Sequence, residues 1–557
     1  MTMAFDYEAF TPKTISCLRE GYNKKFFFHD LIAGISVGII ALPLAMALAI
    51  GSGVEPARGL YTAIIAGFLI SLLGGSRVQI GGPTGAFVVI VYDIVARNGY
   101  DGLCVATMLA AIMLLIMGLT KCGSYIRFIP YPVTTGFTTG IATALFVNQM
   151  KDFWGYSIPH PEIEFFDRLP QYWEFRHTIN FWAPLVAFST LLLIVGIRKI
   201  SRKIPGTIVA TVALSALVYL FDIPIDTIEK KFGQIPSELP SFSFPSLSFE
   251  KIQLLFPDAV AIALLAAIES LLSAVVADGV TGFRHKPNME LCAQGFANLG
   301  SALFGGIPAT GAISRTLASI QMSAKTPFAG MIHAVTICFL MILLAPFAGK
   351  IPLATLSAIL IYVAFNMAEF DHFKDIITGP KSEALVLLST YLLTVIIDLT
   401  VAVQVGVLIA AFLFLKRITE KTTVRACKIL EKEPEAYIPR PQINLPDEIQ
   451  VFELDGPFFF GVSDILNQVL KKTSQHPQFF ILRMGSVPLI DGSGMHAIKQ
   501  FDKKCKENHI RLLITEVRPD VMRLLEKCSV YTTLGKERFF STFDDALKST
   551  NIPFREE

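Results

Sequence analysis

Gly305-Gly306-Ile307-Pro308-Ala309-Thr310-Gly311 and the earlier Gly81-Gly82-Pro83-Thr84-Gly85 each lead into a short apolar piece, Ile313–Ser323 and Thr84–Val95. Neither piece is long enough to cross about 30 Å of hydrocarbon as a helix. Around them lie longer apolar runs beginning near Leu31, Leu60, Leu103, Tyr131, Phe181, Thr207, Ala259, Gly330, Leu353 and Ala384, then Val401–Leu415 and the more polar Cys292–Phe304. Counting all of them predicts about 14 segments. The two Gly/Pro-led pieces then stand third and tenth, seven apart, so they enter the membrane in opposite directions. Paired interrupted segments at matching positions point to inverted repeats with a midplane site between two half-helices. Gly and Pro are also common in ordinary membrane helices, which is the alternative reading of either piece alone.

Composition supports a membrane chain with a soluble tail. The 557 residues are 52% hydrophobic and 17% charged, with a mean hydropathy of +0.54. Of the 94 charged residues, 42 lie in 416–557. The first part is thus about 13% charged and the tail about 30%, against about a quarter for a soluble protein. Net charge is only +2, which argues against a nucleic-acid partner. Eight scattered cysteines without a C-x-x-C pair give no disulfide framework or zinc site, and no metal or cofactor is expected. The polar N-terminus carries no cleavable signal pattern. With that end inside, the inward loops carry Arg77, Lys121, Arg127, Arg198, Lys199, Arg202, Lys203, Arg284, Lys286, Lys325, Lys374 and Lys381. Lys24 and Lys25 before the first span, and Lys416 and Arg417 after the last, complete a positive-inside pattern. A multi-pass protein of the cell's inner (plasma) membrane, with both termini cytoplasmic, is the expectation.

The boundaries read as a cytoplasmic segment 1–29, a membrane domain 30–415, a charged linker 416–446 and a soluble domain 447–552. In the last, Glu448–Leu454, Gln478–Arg483 and Ile510–Thr515 read as strands. Val462–Lys472, Met495–Lys506, Pro519–Lys527 and Phe543–Lys548 read as helices. This alternation predicts a mainly parallel sheet covered by helices.

Two charges inside the membrane domain carry chemistry. Glu269 lies in Ala259–Ala274, where an unpaired carboxylate costs on the order of 3 kcal/mol to insert. It should face a polar cavity, a partner or a coupling ion, and Ser273 one turn on shares its face. A structural acid bonded to a neighbouring helix is the alternative. Arg315 follows Gly311-Ala312-Ile313-Ser314 at the start of the second short piece, where a helix N-terminus already attracts anions. The first piece begins similarly at Thr84–Phe87. Two such N-termini meeting at the midplane would hold a small anion with backbone dipoles. An ion pair with Glu269, or snorkelling to the cytoplasm, is the other reading of Arg315. Asp278, Asp398 and His333 read as boundary or structural residues. No nucleotide loop, H-E-x-x-H or Ser/His/Asp nucleophile pattern appears, which disfavours ATP-driven transport and enzymatic activity. In the tail, Asp491-Gly492-Ser493-Gly494 opens a helix; Ser493 is a candidate phosphosite, with an ordinary N-cap as the simpler reading.

The chain resembles the SulP family of sulfate permeases and anion exchangers over essentially its full length. The marks are Ala41-Leu42-Pro43-Leu44-Ala45-Met46-Ala47 with Gly59-Leu60-Tyr61, then Gly82-Pro83-Thr84-Gly85-Ala86-Phe87. Ala267-Ile268-Glu269-Ser270-Leu271-Leu272-Ser273 and Gly311-Ala312-Ile313-Ser314-Arg315-Thr316 complete the set. The tail looks like a STAS domain. The resemblance implies two inverted repeats of seven segments, a core domain moving against a gate domain, and a homodimer. It places the anion between the third and tenth half-helices, near Phe87, Ser314 and Arg315, with Thr84, Gly311 and Ala312 beside them. In the family's cyanobacterial bicarbonate transporters the eighth-span acid is Asp and helps bind sodium. Glu269, and Ile313 where a hydroxyl is usual, disfavour sodium and leave proton coupling or exchange. Leu44, where many sulfate-type members carry Gln, leaves the anion open among sulfate, bicarbonate and dicarboxylates. Gly492 replaces the usual Ser or Thr of the STAS loop. The expectation is secondary active transport of a small anion by proton-coupled symport or exchange, through Glu269 and Ser273. The alternatives are an uncoupled exchanger or channel, as for chloride, and a sodium-coupled bicarbonate transporter.

Overall fold

The computed structural model describes residues 8–124, 130–158, 162, 165–200, 205–234, 238–397, 399–421, 423–426, 443–459, 477–553 and 555–556. Contacts divide the chain into two units, Met1–Ala410 and Ala411–Glu557.

Every apolar segment named above falls on a helix. Lys24–Gly51, Pro56–Leu73, Gly85–Leu119, Trp182–Ile200, Phe249–Thr281, Phe328–Ala345 and Leu353–Thr378 contain stretches long and apolar enough to cross a membrane. Tyr131–Trp154, Gly206–Leu220, Pro287–Leu303, Ile313–Gln321, Lys381–Ile396 and Leu399–Lys421 are shorter or more polar helices. Gly85–Leu119 is broken at Gly99, whose backbone (φ 68°, ψ −179°) leaves the helical region. The Thr84–Val95 piece is therefore a half-helix followed by a separate span. The second half-helix ends at Gln321, two residues before the expected Ser323.

Packing repeats between the halves. Lys24–Gly51 lies along Phe328–Ala348 as Phe249–Thr281 lies along Gly85–Leu119, and Pro56–Leu73 packs on its counterpart Pro287–Leu303. Small residues permit such approaches: a Cβ on Gly34 would sit 2.6 Å from the Ala329 carbonyl, and, where Pro56–Leu73 meets Lys24–Gly51, one on Gly59 would sit 2.0 Å from that of Ala45. A second set, Tyr131–Trp154 with Leu353–Met367 and Lys381–Ile396, packs mainly on itself, and Gly136 and Gly140 meet Leu387 and Thr394 there.

The C-terminal unit has a five-stranded sheet ordered Thr423–Ala426, Ile449–Asp455, Phe479–Ser486, Arg511–Thr515 and Phe539–Phe540. The first pair is antiparallel and the others are parallel. Gly492–Glu507, Pro519–Lys527 and Phe543–Ser549 supply the expected helices; the Val462–Lys472 helix, like Asp398, lies outside the described residues. The stretch read as a linker is corrected in part. The last membrane helix runs on to Lys421, Thr423–Ala426 joins the sheet, and Ile443–Asn444 pairs with Arg555–Glu556. Charged neighbours obscure the first of these strands in the sequence. A 2-residue strand has too little pattern to read.

Candidate functional site

The two glycine-led turns pair with each other. Gly81–Gly82 and Thr310–Gly311 form an antiparallel bridge with Gly81 opposite Gly311 and Gly82 opposite Thr310. The Ala312 N–H donates to the Ile80 carbonyl at 2.8 Å. Only glycine fits at Gly82: its φ is 146°, and a Cβ would sit 2.6 Å from Nη1 of Arg315. The antiparallel bridge thus brings the starts of the two half-helices together, as the inverted repeat requires.

Both half-helices begin without a side-chain cap. Thr84 and Ala312 occupy the N-cap positions and neither side chain bonds the first turn. Alanine has no oxygen to offer, and the Thr84 hydroxyl is used elsewhere: it donates to Glu269 Oε2 at 2.9 Å. Uncapped N–H groups with the positive end of the helix dipole suit an anion.

Arg315 is 4% exposed; its Nη2 donates to the Pro83 carbonyl, and its Nη1 has no partner. No ion pair within 4.0 Å joins it to Glu269, and it does not snorkel. Each charge is instead held by the turn of the other repeat, Arg315 by Pro83 and Glu269 by Thr84. Glu269 is half-buried and Ser314 exposed, so these two are the accessible members of the set, while Thr84, Gly311 and Ala312 are buried. Phe87 is 0% exposed and packs in the apolar core with Ala266 and Ala267. Ser273 does not bond Glu269; its hydroxyl donates to Thr316 Oγ1 at 3.3 Å, and Thr316 in turn accepts from the Ile80 N–H at 3.0 Å. Ser273 therefore braces the second half-helix. Among the described residues there is no cluster of three or more His, Cys, Asp or Glu that could hold a metal.

Sequence reasoning missed a second tier. Glu290, Gln294 and Asn298 are each 0% exposed on the Pro287–Leu303 helix. Glu290 Oε2 accepts from the N–H groups of Gly75 and Ser76 at 2.9 and 3.1 Å, and Oε1 accepts from Ser270 and Gln294 at 3.2 and 2.8 Å. Asn298 Oδ1 accepts from the Ala309 N–H, and its Nδ2 donates to the Ala309 carbonyl, both at 2.8 Å. One helix thus grips the approach to both half-helices. The signal was available: three amide or acid residues spaced by four in an apolar helix mark one polar stripe. In the tail, Asp491 Oδ1 accepts from the Gly494 N–H at 2.7 Å and is the N-cap, while Ser493 is exposed.

Two inverted half-helices meeting within a bundle of apolar helices, with buried charge at the meeting point, define a membrane transporter of the repeat-swapped kind. The sulfate permease family model matches residues 27–390, and the STAS domain model matches 440–546. The chain belongs to the sulfate permease family and is a transporter rather than an enzyme. It is 38% identical over 528 residues to YvdB of Bacillus subtilis, named provisionally as a sulfate transporter (94% of this chain, 98% of that one). It is 28% identical over 540 residues to the bicarbonate transporter BicA of Picosynechococcus (93% and 94%). The transmembrane domain of a cyanobacterial BicA superposes with a TM-score of 0.62 at 28% identity, over 70% of this chain and 98% of that one. The inward-facing murine Slc26a9 anion transporter gives 0.85 over 99% and 95%; at 17% identity this shows a shared fold.

Proposed function

We propose that this protein moves a small anion of the sulfate, bicarbonate or dicarboxylate class by proton-coupled symport or exchange. The observation that carries this reading is the junction of two uncapped half-helix N-termini with Arg315 set between them and one guanidinium nitrogen unpartnered. The names of YvdB and BicA, relatives that carry or are assigned such anions, support the substrate class. Thr84, Phe87, Gly311, Ala312, Ser314 and Arg315 form or back the anion site, and Glu269 is the coupling group, with Ser273 in support. In the empty site Arg315 balances Glu269. An anion arriving beside Glu269 adds like-charge repulsion that protonation removes, so proton and anion favour each other and the linkage is reciprocal. The working unit is a homodimer in the inner membrane with both termini cytoplasmic. The domains run 30–415 for transport and 447–552 for the STAS tail, with Ser493 as its phosphosite.

Uptake of radiolabelled anions into proteoliposomes, with imposed proton or sodium gradients, tests this. An inward proton gradient should accelerate uptake by the wild type, and Glu269→Gln should retain exchange while losing that acceleration. A mutant that responds as strongly as wild type removes Glu269 as the coupling group. A second reading, sodium-coupled bicarbonate transport, draws on the likeness to BicA; acceleration by sodium at fixed pH selects it.

A further inference from the structure

A cleft of about 590 Å³ lies between the Trp182–Ile200 and Leu353–Met367 helices. Its lining is divided. Val195, Ile361 and Phe365 form an apolar wall, and Phe365 is 65% exposed. At one end stand Arg198 and Lys199 with Tyr362 and Asn366. Arg198 Nη1 donates to the Tyr362 hydroxyl and, at 3.5 Å, to Asn366 Oδ1. Both partners are neutral, and neither Arg198 nor Lys199 has a carboxylate within 4.0 Å among the described residues. Two cations without a counter-ion among the described residues stand at the end of a spanning helix that the positive-inside pattern assigns to the cytoplasm. The guanidinium is already oriented by two hydrogen bonds, so little side-chain freedom remains to be lost when an anion binds.

We propose that this cleft binds one anionic phospholipid, its phosphate on Arg198 and Lys199 and an acyl chain along Val195, Ile361 and Phe365. The division of the lining selects this occupant: a soluble anion would leave the apolar wall uncovered, and a zwitterionic lipid would leave the cations uncompensated. Arg198 bridges to Tyr362 of the other helix, so a lipid seated there ties Trp182–Ile200 to Leu353–Met367.

The test uses the full chain, purified in mild detergent and exposed to equal amounts of phosphatidylglycerol and phosphatidylcholine, with retained lipid read by native mass spectrometry. Wild type should retain phosphatidylglycerol by about thirtyfold over phosphatidylcholine, as expected for two cations at about 1 kcal/mol each. R198Q/K199Q, both exposed substitutions, should retain the two lipids about equally. Val195→Trp fills the apolar wall and should lose the preference with both cations present. Millimolar glycerol phosphate should not displace the lipid. The proposal is overturned by a wild type without preference, or by a preference that survives R198Q/K199Q. It is equally overturned if Val195→Trp keeps the preference, which would mean surface charge without a groove, or if glycerol phosphate competes, which would mean a free-phosphate site.

Discussion

The Thr84 hydroxyl donates to Glu269 Oε2 at 2.9 Å, so the residue at the N-cap of the first half-helix serves the carboxylate instead of its own helix. One bond thereby does two things. It gives the half-buried acid a donor from the opposite repeat, and it leaves the first turn of the half-helix without a side-chain cap. Arg315 and Pro83 make the reciprocal connection. Glu269 and Arg315 are coupled through the two turns rather than through a direct ion pair, so a change at either turn reaches both.

Thr84→Val keeps the side-chain shape and deletes the donor. Losing one hydrogen bond to a carboxylate costs about 1.5–3 kcal/mol, so KM for the anion should rise by roughly tenfold or more. The same lost bond should lower the melting temperature as well, although no packing is removed. Uptake kinetics in proteoliposomes measure the first and thermal unfolding in detergent the second. An unchanged KM separates Thr84 from the site.

Arg315→Ala should weaken anion binding by about 10–100-fold, the range for a charge-assisted hydrogen bond. Arg315→Lys should recover part of the loss, since it restores the charge without the planar fork. Calorimetric titration of sulfate and bicarbonate into the purified variants measures both. Equal affinity in wild type and Arg315→Ala would show that the backbone N–H groups bind the anion unaided.

The spans, their inversion and the meeting of two half-helices were legible because glycine, proline and apolar length are strong local signals. The charges at 269 and 315 were legible because charge inside an apolar helix is costly. Their partners were not. Nothing local to Thr84 says that its hydroxyl will leave its own helix, and nothing local to Ser273 says that it will face Thr316 across a helix gap instead of Glu269. Those choices are set by the pairing of Gly81–Gly82 with Thr310–Gly311, a contact between residues far apart in sequence. Thr423–Ala426 was lost for a related reason: a 4-residue edge strand owes its existence to Ile449–Asp455 beside it.

Glu290→Gln tests the second tier. The carboxylate accepts from two backbone N–H groups, a serine hydroxyl and a glutamine amide. A glutamine there must turn its own NH₂ toward one pair of donors, leaving buried groups unsatisfied at about 1–3 kcal/mol. The melting temperature should fall by several degrees, and whichever of sulfate and bicarbonate binds the wild type should restore part of it through mass action. A variant as stable as wild type would mean that the grip on Gly75 and Ser76 is not needed.

Cys505 lies on the buried face of Gly492–Glu507 and is 0% exposed. Burial, followed by the charge of Asp502, pushes its thiol up from 9.0 to about 12, with Arg538 pulling weakly the other way. The thiolate is the nucleophile, so iodoacetamide at pH 8 should alkylate the exposed Cys528 and leave Cys505 untouched until the protein is unfolded. Site-resolved mass spectrometry reads both. The raised value also fixes the sign of a stability effect. Below pH 9 the thiol is protonated in both states and contributes no pH dependence. Above pH 9 the unfolded chain releases a proton that the folded domain keeps, so this contribution to stability falls as pH climbs toward 12. The denaturation midpoint of the C-terminal unit should drop between pH 8 and pH 10 by more in wild type than in Cys505→Ala. Equal slopes in the two proteins, or ready labelling of Cys505 in the folded chain at pH 8, would place the thiol in water rather than in the core.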